Sequence, residues 1–292
     1  MDRRVDALLR EWDLRLAGPL PLSLNWVARV RRADGSRAVL KLGVPGEGHE
    51  AAALEFFAGR GAVAVLARDD ARGALLLEEA LPGTPAAALA ATDDTTATAA
   101  LISVVRRLHR PAPDDIEMPD LADRLATFER HLSKERHLSK ERHLGEERHL
   151  REARHLSGGG KLVERGARVF AELCATATER VVLHGDLHHD NILTAGREPW
   201  LAIDPHGVVG DPGYEVGALL YNPDPEGDDD TVLDLLPARI EQLADGLGMP
   251  VERVIGWGFA QAVLAELWSA EGTGRRGMRS LKVAQRLLPL VS

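Results

Sequence analysis

The stretch from Val181 to Leu193 reads VVLHGDLHHDNIL, with apolar residues at both ends and a polar middle that contains one glycine. This pattern predicts a short strand, a polar loop and a second strand. Loops that two rigid elements hold in place are where proteins commonly present reactive side chains. We therefore expect the chemistry of this protein to lie in this loop and in the segments that pack beside it.

Three polar residues of this region have the spacing of a phosphoryl-transfer site. Asn191 follows Asp186 by five residues, and Asp204 ends another apolar segment, WLAI at residues 200–203. Kinase catalytic loops have the same spacing, with an Asp that accepts the proton of the substrate hydroxyl and an Asn that binds a metal ion. A second carboxylate can hold Mg²⁺ against a triphosphate, and a metal and one weak base supply most of this catalysis. We therefore predict that Asp186 is catalytic and that Asn191 and Asp204 bind metal.

The first 80 residues are rich in strand signals. The predicted elements are a helix at 5–16, strands at 26–31 and 37–42, a helix at 49–59, and strands at 63–67 and 74–79. Asp34-Gly35 is a turn signal that joins the first two strands as a hairpin. Lys41 lies on this hairpin, and Glu50 lies on the helix that follows it.

Residues 81–85, LPGTP, interrupt regular structure, and the pattern after them is helical until Val181. We place a boundary here, between a small β-rich N-lobe at residues 1–82 and a larger helical C-lobe at residues 83–292. The C-lobe contains three large aromatic residues that are expected in its core: Trp257, Phe259 and Trp268. Glu266 and Glu271 lie in the same stretch and are candidates to face a cationic substrate.

A hexapeptide repeat occupies residues 130–156, where the triplet RHL recurs every six residues and carries five of the eleven histidines. On a helix a six-residue step turns through about 600°, so successive units lie about a third of a turn apart. The imidazoles therefore do not converge on one point, as a chelating site would require. The pattern favours an exposed, charge-rich helix over a metal-binding or pH-sensing tract.

Composition limits the class of partner. The formal net charge is −9, which argues against nonspecific binding to nucleic acid and suits either a cationic substrate or simple solubility. Cys174 is the only cysteine, which excludes an intramolecular disulfide and a zinc site built on several thiolates. The sequence has neither a signal-peptide pattern nor an apolar run long enough to span a bilayer. We expect a soluble cytoplasmic protein that binds no membrane; its oligomeric state is not predicted.

The block from Val182 to Pro223, which includes HGDLH at 184–188 and GDPGYEV at 210–216, resembles the aminoglycoside and hydroxyurea antibiotic-resistance kinases, particularly the streptomycin 6-phosphotransferase group. The resemblance extends to AVLKL at 38–42 and to residues 59–83, so about half of the chain is covered. It implies an α+β, protein-kinase-like two-lobe fold. It also implies ATP and Mg²⁺ as cofactors, and a small-molecule acceptor such as streptomycin or hydroxyurea.

The resemblance further assigns residues to the nucleotide. Lys41 would bind the α and β phosphates, and Glu50 would be its ion-pair partner. The adenine would meet the backbone of three hinge residues, Glu79, Ala80 and Leu81. Asp186 would be the base, and Asn191 and Asp204 the metal ligands.

Other residues of the resembling blocks receive supporting roles. Asp211 is expected to brace its loop as a buried carboxylate that accepts backbone N–H groups. His184 is expected to hold the catalytic loop by hydrogen bonds. His206 stands where the resemblance leads us to expect a lysine.

Three alternatives remain open from the sequence. The string His-x-Asp-x-His-His imitates the ligand set of a metallohydrolase. A kinase fold that has lost catalysis would be a binding module. A kinase could also act on a metabolite such as choline, homoserine or a sugar, because a fold does not fix its substrate.

Overall fold

The computed structural model describes residues 3–19, 25–46, 48–142, 152–224, 230–272 and 279–291. The N-terminal elements are α1 (Arg3–Glu11), β1 (Arg15–Pro19), β2 (Trp26–Arg31), β3 (Arg37–Leu42), α2 (His49–Phe57), β4 (Val65–Asp69) and β5 (Ala74–Glu78). The next elements are β6 (Pro82–Pro85), α3 (Ala86–Ala90), α4 (Asp94–Leu108), α5 (Leu125–Arg142) and α6 (Glu152–Ala175). The last are β7 (Val181–Leu183), β8 (Ile192–Ala195), β9 (Trp200–Ala202), β10 (Val208–Gly210), α7 (Tyr214–Tyr221), α8 (Thr231–Leu247), α9 (Val251–Gly272) and α10 (Arg279–Leu287).

The N-terminal strands form one antiparallel sheet in the order β1-β2-β3-β5-β4. The predicted hairpin is confirmed, with Trp26 opposite Leu42 and Arg31 opposite Arg37. Its alternating apolar residues face α1 and form a small core with Val5 and Leu8. Because side chains alternate along a strand, this packing turns Lys41 toward the opposite face of the sheet.

The predicted first helix is wrong at its C-terminal end, because α1 stops at Glu11 and residues 15–19 form the edge strand β1. Asp13 has a left-handed φ of 48°, which ends the helix in a tight turn. Leu16, whose spacing suggested a continuing helix, lies opposite Val30 in the sheet and is 45% exposed. An edge strand has only one neighbour, so the sequence around it carries little strand signal.

The interruption predicted at residues 81–85 is also wrong in part, because β6 pairs with β8 in a three-stranded sheet, β6-β8-β9. A second sheet pairs β7 with β10. The two halves of the chain are joined through main-chain bonds from Ala202 N–H to Gly61 O at 2.8 Å and from Val63 N–H to Ala202 O at 3.0 Å. The boundary after residue 82 stays a prediction, because the larger apolar core continues from α2 into the C-terminal helices.

The C-terminal core is built around aromatic side chains on α6, α7 and α9. The ring centroid of Trp257 lies 5.3 Å from that of Phe170 and 5.4 Å from that of Tyr214, both nearly perpendicular. Such edge-to-face pairs are favourable because the positive ring edge meets the negative ring face. This cluster fixes α7 and α9 beneath the short sheets that carry the polar loops.

The first unit of the hexapeptide repeat is part of the fold and not an exposed helix. His131 is 8% exposed, and Leu132 packs against the large core. Arg130 lies 3.6 Å from the Glu271 carboxylate on α9. The expectation of exposure is therefore wrong for His131 and Leu132, because α6 and α9 cover them, whereas Arg130, Arg136 and His137 are exposed as expected. The side chains of residues 138–156 lie outside the described part of the chain.

Candidate active site

A cleft of about 650 Å³ separates the N-terminal sheet from the C-terminal loops. Its apolar walls come from both sides and consist of Val27, Val39, Val63, Leu77, Leu193 and Ile203. Its lining includes every predicted site residue, namely Lys41, Glu50, Glu79, Ala80, Leu81, Asp186, Asn191 and Asp204. The cleft has the size of a site for a small ligand, with a mostly apolar lining and a few convergent polar groups.

Lys41, Glu50 and Asp204 meet across the cleft and form one charged triad. Lys41 is 5% exposed, and its Nζ donates to Glu50 Oε1 at 2.7 Å and also contacts the Asp204 carboxylate. Glu55, the other acid of α2, pairs instead with Arg68 at 2.7 Å. The structure thus contains the ion pair that was predicted between Lys41 and Glu50.

Lys41 and Asp204 stabilise each other's charge, whereas burial outweighs Lys41 at Glu50 and, with the charge of Asp204, raises the pKa of Glu50 above its ordinary value. Burial acts to lower the pKa of Lys41, but the carboxylates of Glu50 and Asp204 outweigh it and raise that pKa above its ordinary value. Burial acts to raise the pKa of Asp204, but Lys41 outweighs it and holds that pKa below its ordinary value. Both residues are therefore charged at neutral pH. The Asp204 side chain is still 52% exposed, so its oxygens face the cleft.

The backbone after β9 brings these groups together. Asp204 has a left-handed φ of 61°, a conformation that Asp tolerates better than most residues. Gly207 has φ 65°, and a Cβ there would lie 2.5 Å from the carbonyl oxygen of His49. Only glycine therefore allows the first turn of α2 to approach this loop, which places Glu50 beside Asp204.

The catalytic loop leaves β7 and returns through a 3₁₀ turn at His189–Asn191. Asp186 lies in this loop with a 40% exposed side chain that faces the cleft. Asn191 Nδ2 donates to the carbonyl oxygen of Asp186 at 2.9 Å. This bond fixes the Asn191 amide and leaves its carbonyl oxygen as the group able to coordinate a metal ion.

His184 supports the loop as predicted. It is fully buried, and its Nε2 donates to Ile203 O at 2.8 Å while its Nδ1 accepts the N–H of Asp186 at 3.3 Å. Its carbonyl oxygen accepts the N–H of His206 at 2.7 Å. Burial lowers the pKa of His184 to about 3, so the imidazole is neutral and has one donor and one acceptor nitrogen.

The histidines of the loop do not form a metal centre. His189 is fully buried, and burial lowers its pKa to about 3. His184 uses Nε2 for a main-chain carbonyl. Within the described residues no three His, Cys, Asp or Glu side chains are grouped to hold a metal ion. This arrangement does not favour the metallohydrolase alternative.

Two imidazoles flank the Asp186 carboxylate. His206 Nε2 lies 3.7 Å and His188 Nε2 lies 3.8 Å from Asp186 Oδ2. The contact with His188 was not predicted. Residues 186 and 188 are two positions apart, and side chains with this spacing lie on the same face of an extended segment. The imidazole of His206 thus lies beside the carboxylate at the position where a lysine was expected.

The hinge residues expose their main chain to the cleft. The Glu79 carboxylate is occupied by Arg29 at 3.0 Å and by Arg37 at 2.8 Å. Ala80 lies between β5 and β6, and the turn and loop hydrogen bonds of the described residues do not involve its main chain. Free peptide groups beside apolar walls can pair with a planar heterocycle.

Sequence reasoning treated Asp211 correctly and missed other residues near the loop. Asp211 is 2% exposed and accepts the N–H of Gly213 at 2.7 Å and Nε1 of Trp257 at 3.0 Å, which confirms its structural role. Arg124 donates a hydrogen bond to the carbonyl oxygen of Gly185, and Glu215 accepts one from its N–H. Neither residue was identified from the sequence as part of the site. Their contacts are tertiary, so no local pattern could have indicated them.

Trp268 differs from the other two aromatic residues that were expected in the core. Trp257 and Phe259 are fully buried, whereas Trp268 is 37% exposed, with the Arg124 guanidinium 5.3 Å from its ring centroid. Glu271 lies 3.6 Å from both Arg130 and Lys134. The Glu271 carboxylate is therefore paired with two cationic side chains of the protein itself.

Comparison with known proteins places this geometry in a family. The model of the family described as aminoglycoside/hydroxyurea antibiotic resistance kinase matches residues 23–273. A hydroxyurea phosphotransferase of Kitasatospora aureofaciens is 33% identical over 302 residues, which cover 98% of this chain and 78% of that protein. A streptomycin 6-kinase of Streptomyces griseus is 32% identical over 280 residues, which cover 89% of this chain and 80% of that protein.

Solved structures agree on the fold. The aminoglycoside phosphotransferase APH(3'')-Id of Streptomyces rimosus, in complex with ADP and streptomycin, has a TM-score of 0.56 at 23% identity, covering 90% of this chain and 99% of that chain. The choline kinase LicA of Streptococcus pneumoniae has a TM-score of 0.59 at 12% identity, covering 97% of both chains. The predicted α+β, protein-kinase-like fold is confirmed.

Proposed function

The chain belongs to the aminoglycoside/hydroxyurea antibiotic resistance kinase family, and from this membership we propose that it transfers the γ-phosphoryl group of ATP to a hydroxyl of an aminoglycoside such as streptomycin, or of hydroxyurea. This reaction would confer resistance to the acceptor. The observation that carries the proposal is the meeting of Lys41, Glu50 and Asp204 across one cleft from Asp186 and Asn191. That set supplies the charges and the base that phosphoryl transfer requires.

The N-terminal side of the cleft would bind the nucleotide. The adenine would lie between the apolar walls and bond to the main chain at Glu79, Ala80 and Leu81, which line the cleft. Lys41 would bind the α and β phosphates. Glu50 would hold the Lys41 side chain in place through the 2.7 Å ion pair.

The C-terminal side would hold Mg²⁺. Asn191 offers an amide oxygen and Asp204 an exposed carboxylate, and oxygen ligands of this kind suit Mg²⁺. When bound, the metal would neutralise charge on the phosphate oxygens. Lys41 would compete for the same Asp204 carboxylate, so nucleotide binding would redistribute this pair.

Asp186 would act as the general base for the acceptor hydroxyl. Its carboxylate is open to the cleft, and its main chain is fixed by Asn191 and His184. His206 and His188 restrict the rotation of the carboxylate from two sides. A base that is already oriented needs little rearrangement when the acceptor arrives.

We extend the proposal to the organisation of the chain. Residues 1–82 would act as the nucleotide-binding lobe and residues 83–292 as the lobe that carries the catalytic loop and the acceptor. The described part of the chain contains no helix that is long and apolar enough to cross a bilayer. Since the reaction consumes ATP, we propose that the protein acts in the cytoplasm.

The test is a measurement of acceptor-dependent ADP release with Mg-ATP. Streptomycin, hydroxyurea, other aminoglycosides and a panel containing choline, homoserine and sugars would be compared at equal concentrations. Release with streptomycin or hydroxyurea supports the proposal. Release only with a metabolite would retain the mechanism and refute the substrate class, and no release with any acceptor would refute the proposed function.

A further inference from the structure

The turn between β8 and β9 carries an arginine, Arg197, that contacts the N-terminal half of the chain. Arg197 donates from Nε to Glu78 Oε1 at 3.0 Å and from Nη2 to Glu78 Oε2 at 2.8 Å. Its guanidinium also donates to the carbonyl oxygens of Gly59 and Ala62, at 2.5 and 3.1 Å. Arg197 therefore bonds two separate segments, the end of β5 and the α2–β4 connection, which is residues 58–64.

Glu198, the next residue of the turn, contacts the same connection. Its carboxylate accepts the N–H of Gly61 at 3.2 Å and pairs with Arg107 of α4 at 2.8 Å, and its side chain is only 10% exposed. Gly61 has a left-handed φ of 69°, and a Cβ there would lie 2.9 Å from the Cβ of Arg107. Glycine is therefore needed for the connection to come this close to α4.

Main-chain bonds join the α2–β4 connection to β9, the strand that is followed by the candidate metal ligand Asp204. The connection bonds both main-chain polar groups of Ala202, as described above. Val63 of the connection also lines the cleft. The hinge begins directly after Glu78. One group of contacts thus joins the hinge, a wall of the cleft and the strand that leads to Asp204.

The ion pair between Arg197 and Glu78 is charged at neutral pH. Burial acts to raise the pKa of Glu78, but the bonds from Arg197 and from the N–H of Ala64 outweigh it and hold that pKa below its ordinary value. The Arg197 side chain is 41% exposed, and an ion pair with so much solvent contact adds little stability. Its two parallel N–H···O bonds instead fix the relative orientation of the two groups.

We propose that Arg197 and Glu198 are positioning residues that fix the distance between the hinge and the metal ligand Asp204. The inference rests on the proposed function, which assigns the adenine to the hinge and Mg²⁺ to Asp204. A nucleotide with its metal binds at both places at once, so its affinity depends on how well their separation is fixed before it arrives. Neither Arg197 nor Glu198 lines the cleft, so they act through the main chain and not on the nucleotide.

The variant R197M tests this role, because Met keeps an apolar side chain and removes the donors to Glu78, Gly59 and Ala62. We expect the Kd for Mg-ATP to rise about tenfold, while kcat at saturating ATP changes less than about threefold because the catalytic loop is unchanged. Adenosine reaches only the hinge, so its Kd should rise less than about threefold. Calorimetric titration measures the first affinity, and displacement by Mg-ATP measures the second.

Hydrogen exchange reports the same change without any nucleotide or acceptor. In R197M a peptide that covers residues 58–64 should exchange faster than in the wild type, because the bonds to its carbonyl groups are lost. A peptide that covers the catalytic loop, residues 181–193, should exchange at the wild-type rate. This contrast separates a local loss of position from a general loss of stability.

Glu198 provides a second variant with a milder expected effect. In E198Q the Gln oxygen can still accept the N–H of Gly61, but the charge that pairs with Arg107 is lost, so the Kd for Mg-ATP should rise about threefold. In the double variant R197M/E198Q the loss of affinity should be smaller than the product of the single losses, since both residues hold the same connection.

R68M is the matched control. Arg68 lies in β4 and pairs with Glu55 and Asp70, which both belong to the N-terminal side of the cleft. These ion pairs therefore do not join the hinge to β9. In R68M the Kd for Mg-ATP and the Kd for adenosine should each stay within about twofold of the wild type.

Equal rises in the Kd for adenosine and for Mg-ATP in R197M would overturn the inference, and so would an unchanged Kd for both. Equal hydrogen exchange of residues 58–64 in R197M and the wild type would also overturn it, as would a loss of Mg-ATP affinity in R68M as large as that in R197M. A wild type that does not bind Mg-ATP would refute the proposed function. A wild type that binds Mg-ATP no better than R197M would refute only the positioning role.

Discussion

The two sides of the cleft hold their functional groups by different means. On the side proposed to bind the phosphates and Mg²⁺, called the nucleotide side below, Lys41, Glu50 and Asp204 come from three separate segments and are held by side-chain charges. On the acceptor side, the main chain around Asp186 is held by hydrogen bonds to Asn191 and His184. The first side can exchange its partners when a ligand arrives, because Asp204 is half exposed. The second side is fixed by hydrogen bonds that involve main-chain groups, and these bonds do not use the Asp186 carboxylate.

This difference separates binding from catalysis. Replacing a charge on the nucleotide side should change the affinity for ATP. Replacing a group on the loop should change turnover while ATP still binds. The four predictions that follow test this division in order of decreasing effect.

The largest effect is expected at Asp186. D186N removes the proposed general base and should lower kcat by about 10³-fold, while the Kd for Mg-ATP changes less than about threefold. Steady-state ADP release and calorimetric titration with Mg-ATP measure the two quantities. D190N, which changes a 53% exposed acid of the same loop, is the control and should lower kcat far less. Full activity of D186N would contradict the proposal that Asp186 is the base and that the two sides of the cleft have separate roles.

The next effect is expected on the nucleotide side. D204N should weaken Mg-ATP binding by about 10²-fold, because it removes both a metal ligand and a partner of Lys41. K41M should act similarly, and E50Q should be milder at about tenfold, since Glu50 acts only through Lys41. Titration with ATP in the presence and absence of Mg²⁺ would separate these effects. A D204N protein whose ATP affinity still rises with Mg²⁺ would contradict the metal assignment.

A third prediction concerns acid stability. His184 and His189 are fully buried with a pKa of about 3, so the folded state stays neutral while the unfolded chain takes up protons below about pH 6.5. Each should reduce the free energy of unfolding by about 1.4 kcal/mol per pH unit below that value. Urea unfolding between about pH 8 and about pH 5 measures this slope.

The variant E215Q is the best background for this measurement, because burial raises the pKa of Glu215 from 4.5 to about 7 and its titration has the opposite sign. Below pH 6.5 Asp204 stays ionised, since its pKa lies below the ordinary value. The acid effect should therefore come from His184 and His189, together with His109 at the end of α4, whose burial lowers its pKa to about 4. Stability that does not change between pH 8 and pH 5 would show that the two imidazoles are not neutral in the folded state.

The smallest effect is expected at the hinge. E79A removes a carboxylate that binds Arg29 and Arg37 but leaves the main chain that we assign to the adenine. The Glu79 side chain is only 6% exposed, but both arginines are about half exposed and stay solvated when the carboxylate is removed, so the KM for ATP should change less than about threefold. A large increase in KM would mean that the side chain of Glu79, and not its peptide group, contacts the base. The matched control is E55A, which breaks a similar ion pair with Arg68 away from the hinge.

Local patterns predicted much of the fold and of the site. The β2–β3 hairpin follows from alternating apolar residues around a turn, and its register agrees at both ends. The spacing of Asp186, Asn191 and Asp204 indicated residues that line the same cleft. These features depend on residues that are close in sequence, or on a motif with fixed spacing.

Features that depend on packing were missed. The edge strand β1 follows a left-handed turn at Asp13, and a single aspartate is too weak a signal to mark the end of a helix. Arg124 reaches Gly185 across 61 positions, and His131 is buried because other helices cover it. The exposure of Trp268 likewise depends on where α9 ends. Such contacts are decided by tertiary structure, which overrides local signals.

Transfer of labelled γ-phosphate tests the central claim most directly. The protein would be incubated with Mg-ATP labelled on the γ-phosphate and with streptomycin or hydroxyurea, and the products separated and examined by phosphorus NMR. We predict that the label moves to a hydroxyl of the acceptor in the wild type and not in D186N. Release of the label as free phosphate at the same rate with and without acceptor would contradict the account.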